Sequence, residues 1–203
     1  AGSLGVGVLG TTLVSPLDTL ATLLGEYNKG LESCDPVGEF INAQRSVFTF
    51  MFCAETRQAA IDSGAGEAIL WFINAAPAVF HVPRDTWIDA IRGDLKEDSP
   101  VSDAALAAPE VHDDIDLNDP VPVISLLNRQ LVGEKLDPVE VFEVMESIES
   151  VVIGDVSACE AKLNRYAEIG CDRLMCLMQM GGVSQEDVMQ SIRLTGEELI
   201  PRL

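Results

Sequence analysis

The stretch from Cys171 to Leu203 constrains the fold more than any other part of the chain. It opens with a short apolar run, Arg173 to Met178, which is long enough for one buried strand and too short for an ordinary helix. A glycine-containing loop, residues 179–182, ends the run, and Ser184 then predicts the N-cap of a helix that closes at Pro201. A buried strand followed by a glycine loop and a helix is typical of a parallel α/β fold.

Two further strands are predicted upstream, at Leu4–Leu9 and at Ser46–Cys53. The second is rich in β-branched and aromatic residues, which favours a buried strand. The helix predicted after the second strand contains Gly64 and Gly66, which are expected to kink it or to admit a close neighbour. The first predicted helix begins at Ser15–Pro16, with Ser15 as the cap, and the second runs from Glu55 to about Phe80. Further helices are predicted at Trp87–Arg92, Val121–Leu131, Pro138–Ser147 and Ser157–Ile169. Val151–Asp155 is expected to be the connection that leads into the last of these helices.

Residues 83–120 differ in composition from the rest of the chain, with four prolines, many acidic residues and little periodicity. Loops of this length are often lids, so we expect a surface excursion or lid before the final strand. Asp113, Asp114 and Asp116 carry oxygen ligands of the kind that Ca²⁺ takes. Their spacing lacks the glycine and distal glutamate of an EF-hand loop, so a solvated acidic loop is the favoured interpretation and no metal is expected.

The charge balance narrows the classes of partner. There are 33 acidic and 13 basic residues, giving a formal net charge of -20, which argues against nucleic acid and anionic membranes as partners. No apolar run reaches membrane-spanning length. A chain of 203 residues that is 47% hydrophobic can bury the core of a single domain, taken here as residues 1–203. A salt-loving source would explain the acidic excess, and a merely acidic cytosolic protein would explain it equally well.

The cysteines and histidines do not form a recognisable metal site. The cysteines lack paired metal spacing, so zinc is not expected, and buried reduced thiols in a cytoplasmic protein are the preferred interpretation. His81 and His112 are expected at the surface. The five cysteines are Cys34, Cys53, Cys159, Cys171 and Cys176.

Three segments carry a resemblance to a known family. They are "GCDRLMCLMQMGGVSQEDVMQSIRLTGEELIP" with "VVIGD" before it, "AGSLGVGVLG", and "CDPVGEFINAQRSVFTFMFCAET". In the order in which they occur along the chain, these segments resemble the C-terminal part of the bacterial-luciferase-like flavin-dependent monooxygenases. The resemblance covers most of the chain except roughly residues 83–119. The family fold is a TIM-type (β/α)₈ barrel. The resemblance implies that this chain is a partial barrel equivalent to about the last three βα units.

A partial barrel leaves two sheet edges bare, which is a liability in a free protein. We therefore expect an absent segment before Ala1, a second chain or self-association to complete the sheet. The resemblance also implies an FMN-dependent two-component monooxygenase. Reduced FMN supplied by a flavin reductase would react with O₂ to oxidise a small organic substrate, with a deazaflavin as another possible cofactor. The catalytic residues of the family lie in the absent N-terminal half, and none is assigned here.

The resemblance places the candidate site at the carboxyl ends of the predicted strands, where the reactive groups of TIM-type barrels lie. A flavin ring requires a flat apolar slot with a few polar groups and close backbone approach. The candidate cofactor-binding residues are Gly10, Thr11, Thr12, Cys53, Gln179 and Gly181.

Each of these residues also has an ordinary structural interpretation. Thr11, Thr12 and Gln179 are equally well explained by loop capping, and Gly181 by turn geometry. Cys53 is better explained as an inert buried thiol, because nothing basic nearby in the sequence would lower its pKa. At the level of the whole chain, a non-catalytic flavin-binding or scaffold protein, or one subunit of a split enzyme, remains open beside the monooxygenase.

Overall fold

The computed structural model describes residues 1–93 and 115–203, which form a parallel sheet with helices on both faces. The strands are β1 (Val8–Thr11), β2 (Arg45–Ala54), β3 (Val152–Asp155) and β4 (Arg173–Leu177). The helices are α1 (Leu17–Glu32), α2 (Arg57–Asp62), α3 (Ala65–Phe80), α4 (Arg84–Arg92), α5 (Pro122–Leu131), α6 (Pro138–Ser147), α7 (Val156–Glu168) and α8 (Gln185–Leu194). Short turns of 3₁₀ helix occupy Gly2–Leu4 and Ile200–Arg202, and a π-helical turn occupies Thr195–Leu199.

Strand β2 is the centre of the sheet, and each of the other three strands pairs with it in parallel. Its first half pairs with β1 and β4 together, so these two strands lie on opposite sides of it. Its second half pairs with β3, where Met51 lies opposite Val152. The α/β class predicted from the sequence is confirmed.

Both faces of β2 are buried because its side chains alternate between two hydrophobic clusters. Phe50 and Phe52 face the cluster formed with α2, α3, α5 and α6, and the ring of Phe50 meets Phe72 of α3 edge-on at 5.3 Å. Met51 and Cys53 face the cluster formed with α1 and α7. A strand that is buried on both sides has a continuous apolar sequence, which explains why Ser46–Cys53 was correctly predicted as a strand.

The first strand and the helix after it are displaced from their predicted positions. The predicted strand Leu4–Leu9 is wrong in its first half, because a 3₁₀ turn ends at Gly5 with a positive φ of 66°. The strand starts only at Val8, and its pairing with β2 begins there. Ser15 is not the cap of α1: Pro16 holds the N-cap position, and the Ser15 hydroxyl donates to the carbonyl of Ala90 instead.

The long helix predicted from Glu55 to Phe80 is two helices. Thr56 caps α2 by accepting a hydrogen bond from the amide of Ala59 at 3.1 Å. Gly64, with a φ of 72°, then interrupts the helical conformation before α3. An L-residue seldom adopts this conformation, so the break falls at the glycine rather than at a neighbour.

Strand β3 was not predicted, since its residues were assigned to a connection. It is only four residues long and ends in Gly154–Asp155, so its sequence carries little strand signal. All of Val152, Ile153 and Gly154 are buried. The predicted N-cap Ser184 is confirmed, since its hydroxyl accepts from the amide of Asp187 at 3.1 Å.

The excursion is described only at its two ends. Helix α4 covers its start, in agreement with the predicted helix at Trp87–Arg92. Arg92 forms an ion pair with the nearly buried carboxylate of Asp119, which joins the two flanks of residues 94–114. His112, Asp113 and Asp114 lie outside the described residues, and the lid stays a prediction.

Two surface features of the described ranges bear on the predicted partners and histidines. His81 is exposed, as predicted, and it ends α3 in a left-handed conformation. In residues 1–93 and 115–203 no helix is both long enough and apolar enough to cross a bilayer.

Candidate functional site

A cavity of about 320 Å³ opens at the carboxyl end of β1, between the loop that follows the strand, α1 and α4; we call it the β1 cavity. Its volume lies at the lower end of the range for small-molecule sites, which is roughly 300–1,000 Å³. The lining is mostly apolar. The residues that line it are Gly10–Pro16, Thr19, Leu20, Leu23, Trp87, Ala90, Ile91 and Gly93.

The wall formed by the loop after β1 is fixed from behind by a buried hydrogen-bond network. The hydroxyl oxygens of Thr12 and Tyr166 lie 2.8 Å apart, and Tyr166 donates to the carbonyl of Ser150 at 2.6 Å. Ser150 in turn donates to the carbonyl of Leu13 at 3.3 Å. Leu13 has a φ of 44°, which is unusual for a residue with a side chain, so the network holds a strained turn in place.

Tyr166 is a structural rather than a titrating member of this network. Burial raises the pKa of its hydroxyl to about 12. The phenol therefore stays neutral at physiological pH and can donate to Ser150, which leaves Thr12 to donate to the phenol oxygen. The Thr12 hydroxyl is thus directed into the protein, and Thr12 meets the cavity without offering a free hydroxyl.

Trp87 supplies the one unusual polar group of the β1 cavity. Its ring stacks on Phe80 with centroids 6.4 Å apart. Its indole Nε1 is buried and has no hydrogen-bond partner within residues 1–93 and 115–203. Such an N–H costs free energy when it is left unpaired.

None of the described residues that line the β1 cavity is ionisable. Arg92 lies between two lining residues in the sequence, but its guanidinium pairs with Asp119. Gly10 keeps the strand close to α1, because a Cβ there would lie 3.2 Å from Cδ1 of Leu20. The cavity therefore suits a flat, neutral, largely apolar group with at least one hydrogen-bond acceptor.

A second depression, of about 660 Å³, lies between α3, α5 and the loop after β4; we call it the α3 groove. Among the lining residues that the structure describes, Glu67 alone is ionisable. Oε2 of this side chain is buried without a hydrogen-bond partner in the described part of the chain, and burial raises the pKa of the carboxyl. The residues that line the groove are Ser63, Gly64, Glu67, Ala68, Trp71, Gln130, Gly181 and Gly182.

The structure divides the candidate residues predicted from the sequence. Gly10, Thr11 and Thr12 lie together in the β1 cavity, whereas Gly181 lies in the α3 groove. Cys53 and Gln179 line neither. Gln179 is exposed on the loop after β4.

Cys53 faces the core on the α1 and α7 side of β2, away from the first cluster. Its neighbour there is Cys159, and interaction with the Cys53 thiol, together with burial, raises the pKa of Cys159. The Cys159 thiol donates to the carbonyl of Phe52 at 3.6 Å. Both thiols are free of disulfides and almost wholly buried. The interpretation of Cys53 as an inert thiol stays a prediction.

Sequence reasoning missed the two residues with unpaired buried polar atoms, Trp87 and Glu67. Trp87 lies on a short helix whose apolar face gives no sign of a cavity, and Glu67 lies within the helix predicted from Glu55 to about Phe80, where nothing in the pattern distinguishes it. The break at Gly64 puts Glu67 in the first turn of α3, where a carboxylate is commonplace. Neither residue type at its position was a distinctive signal.

Comparison with known proteins leaves the family open: no family model and no curated protein matches the chain. Among the described residues, no three His, Cys, Asp or Glu side chains are grouped so that they could hold a metal ion. The class of protein that the fold and the cavities define is a parallel α/β protein with ligand-sized cavities at the carboxyl ends of two strands.

Proposed function

We propose that this chain is the C-terminal part of a luciferase-like flavin-dependent monooxygenase and that the β1 cavity takes the flavin ring. Reduced FMN, supplied by a flavin reductase, would react with O₂ to oxidise a small organic substrate; a deazaflavin has the same ring shape. One observation carries the proposal: the cavity at the carboxyl end of β1 is apolar, and Trp87, one of the residues that line it, has a buried indole N–H without a hydrogen-bond partner in the described residues.

The lining residues suit the ring of a flavin better than its phosphate. The ring is flat and apolar at one end and has carbonyl and nitrogen acceptors at the other, which the indole N–H of Trp87 could meet. The lining residues within 1–93 and 115–203 include no cationic side chain that would bind a phosphate. We therefore propose that the ring enters the cavity and that the phosphate lies outside it.

The strand order gives limited support to the partial barrel. Strands β1, β2 and β4 are adjacent and parallel, as three consecutive strands of a barrel would be. Helices cover both faces of β2, however, whereas the inner face of a barrel strand contacts other strands. A further segment, a second chain or self-association would complete the barrel in this proposal.

The role of the protein here would be to bind and orient the flavin ring and to exclude water from it. Gly10 and Thr11 would approach the ring, Trp87 would fix its acceptor edge, and the flavin would supply the oxygen chemistry. In the part of the lining that the structure describes, no acid or base could transfer a proton. This last observation favours a second candidate, a non-catalytic flavin-binding or scaffold protein.

A flavin titration tests the proposal. Oxidised FMN, and reduced FMN under anaerobic conditions, are titrated into the chain while flavin absorbance and fluorescence are recorded. Saturable binding is expected, and Trp87→Phe should weaken it about tenfold because the donor is lost while a ring is kept. Trp71→Phe, which makes the same change outside the cavity, is the control and should bind as wild type.

Two further measurements separate the candidates. Ala90→Phe should fill the cavity and abolish binding; unchanged affinity in both Ala90→Phe and Trp87→Phe would overturn the site. With a flavin reductase, a panel of organic substrates and ¹⁸O₂, product carrying one labelled oxygen supports the monooxygenase. Tight binding without labelled product would favour the non-catalytic candidate.

A further inference from the structure

The α3 groove has a chemistry different from that of the β1 cavity. In the described residues only two buried side-chain polar atoms lack a hydrogen-bond partner, Nε1 of Trp87 and Oε2 of Glu67, and each belongs to a residue that lines one of the two depressions. Trp87 presents a donor, whereas Glu67 presents an acceptor. An unpaired acceptor that belongs to a carboxylate is best satisfied by a donor that carries positive charge.

We infer that the α3 groove is a binding site for a primary ammonium group carried on a short apolar stem, with Glu67 as its anion and Trp71 as its aromatic wall. The ammonium has N–H donors for the unpaired carboxylate oxygen. Trp71 follows Glu67 by four residues on α3, so the two side chains lie on the same side of the helix. This inference does not rest on the proposed flavin function.

The electrostatic surroundings favour a cation. Glu67 is the only ionisable side chain among the described groove residues, so no lysine or arginine of that part of the lining competes for it. The side chain is half-buried at the groove wall, and rotation about its terminal torsion exchanges its two oxygens. The formal net charge of -20 adds a general attraction for cations.

Trp71 explains why the ligand should have an apolar stem. Its side chain is 55% exposed although it lies against a groove, which leaves a large aromatic surface in contact with water. An alkyl stem would cover part of this surface, and the ammonium would gain from the ring face. Gly182 keeps the opposite rim open, because a Cβ there would have no neighbour within 4 Å.

The surrounding polar groups are already engaged, which singles out Glu67 as the recognition group. Ser63 donates from its hydroxyl to the carbonyl of Ala60 at 2.8 Å. The amide oxygen of Gln130 accepts from Asn74 at 2.6 Å. Glu67 alone of these three side chains presents a buried oxygen without a donor.

The test uses n-butylammonium chloride as the probe and n-butanol as its neutral isostere, at constant ionic strength. Binding is followed by calorimetry and by the fluorescence of Trp71 in the Trp87→Phe variant, which leaves Trp71 as the only tryptophan. Saturable binding of the ammonium and much weaker binding of the alcohol are expected. Glu67→Gln should weaken ammonium binding about tenfold or more.

Two controls keep the inference falsifiable. Glu39→Gln removes the same charge from an exposed loop and should leave binding unchanged, which separates the site from general attraction. Trp71→Leu should weaken the ammonium several-fold while the circular dichroism spectrum stays native. Equal binding of alcohol and ammonium, or wild-type affinity in folded Glu67→Gln, would overturn the inference. Flavin binding is measured in Glu67→Gln, Glu39→Gln and Trp71→Leu, each with Trp87 retained, and should not change, so a failure here is distinct from a failure of the flavin proposal.

Discussion

Thr12 and Tyr166 are separated by 154 residues in sequence, yet their hydroxyl oxygens lie 2.8 Å apart in the buried interior. The contact joins the end of β1 to α7 across the edge of the sheet. Through Ser150 it also reaches Leu13, whose left-handed backbone shapes the β1 cavity. The cavity wall therefore depends on a residue that does not line it.

Removing this phenol should destabilise the fold. Tyr166→Phe deprives the Thr12 hydroxyl of its acceptor in a buried site, and we expect a loss of about 1–3 kcal/mol in the free energy of unfolding. Tyr27→Phe is the matched control, because the Tyr27 hydroxyl makes one half-buried bond to the carbonyl of Asn42 at 3.1 Å. Urea denaturation measures both, and an equal loss in the two variants would contradict the role of the network.

Lys162 should be a second structural determinant. Its Nζ donates to three backbone carbonyls, those of Glu146, Ile148 and Val151, at 2.6, 3.1 and 2.6 Å. Lys162→Met leaves these acceptors without their donor, so we expect a loss of about 2 kcal/mol or more. Lys29→Met, at an exposed ion pair on α1, should change stability by less than about 1 kcal/mol.

The same lysine gives a pH signature. Burial lowers the pKa of Lys162 from 10.5 to about 8. Between these values the unfolded chain binds more protons than the folded protein, so folded-state stability rises with pH across the window. The advantage of the wild type over Lys162→Met should therefore grow from pH 8 to pH 10. Chemical denaturation at both pH values measures it, and a constant difference would contradict the assignment.

Glu67 should cost stability at neutral pH in the absence of a ligand. Burial raises the pKa of its carboxyl above 4.5, so the folded protein holds a proton that the unfolded chain has released, and stability falls as pH rises through that range. Glu67→Gln should therefore raise the Tm at pH 7 and should match the wild type below pH 4.5.

Glu134 provides the opposite case. The hydrogen bond from Arg129 lowers the pKa of its carboxyl, so the charged form is favoured in the folded protein. Glu134→Gln should lower the Tm at pH 7 or leave it unchanged. A rise in both variants would mean that loss of negative charge, rather than burial, controls the effect.

Gly66 marks the closest approach of α3 to α6. A Cβ at this position would lie 3.2 Å from the Cα of Phe142, in the backbone of the neighbouring helix. Gly66→Ala should destabilise the protein by about 1–3 kcal/mol through overpacking. Gly25→Ala, in α1 with nothing within 4 Å, should stabilise it by about 0.5–1 kcal/mol. Thermal unfolding of the pair checks both signs.

The acidic excess predicts a response to salt. With 33 acidic and 13 basic residues, repulsion between carboxylates should destabilise the compact state until counter-ions screen it. The Tm should rise from low to molar KCl. Greater stability at low salt would rule out adaptation to a saline environment.

Sequence reasoning succeeded where a local pattern determines a local structure. The apolar run of β2 and the Ser184 cap depend on neighbours in sequence, and both were predicted correctly. The side chain of Cys53 could not be placed, because strand alternation leaves open which face meets which helices. The four-residue strand that begins at Val152 was also not predicted, since it is a strand only through its pairing with β2, where Val152 lies opposite Met51.

The central position of β2 has a consequence for synthesis on the ribosome. When β2 emerges, its partners at β3 and β4 follow about a hundred or more residues later. At roughly 5–20 residues per second, its apolar second half waits several seconds for these strands. The nascent chain should therefore be prone to aggregate in that interval, and this part of the sheet should assemble only after β4 has been synthesised.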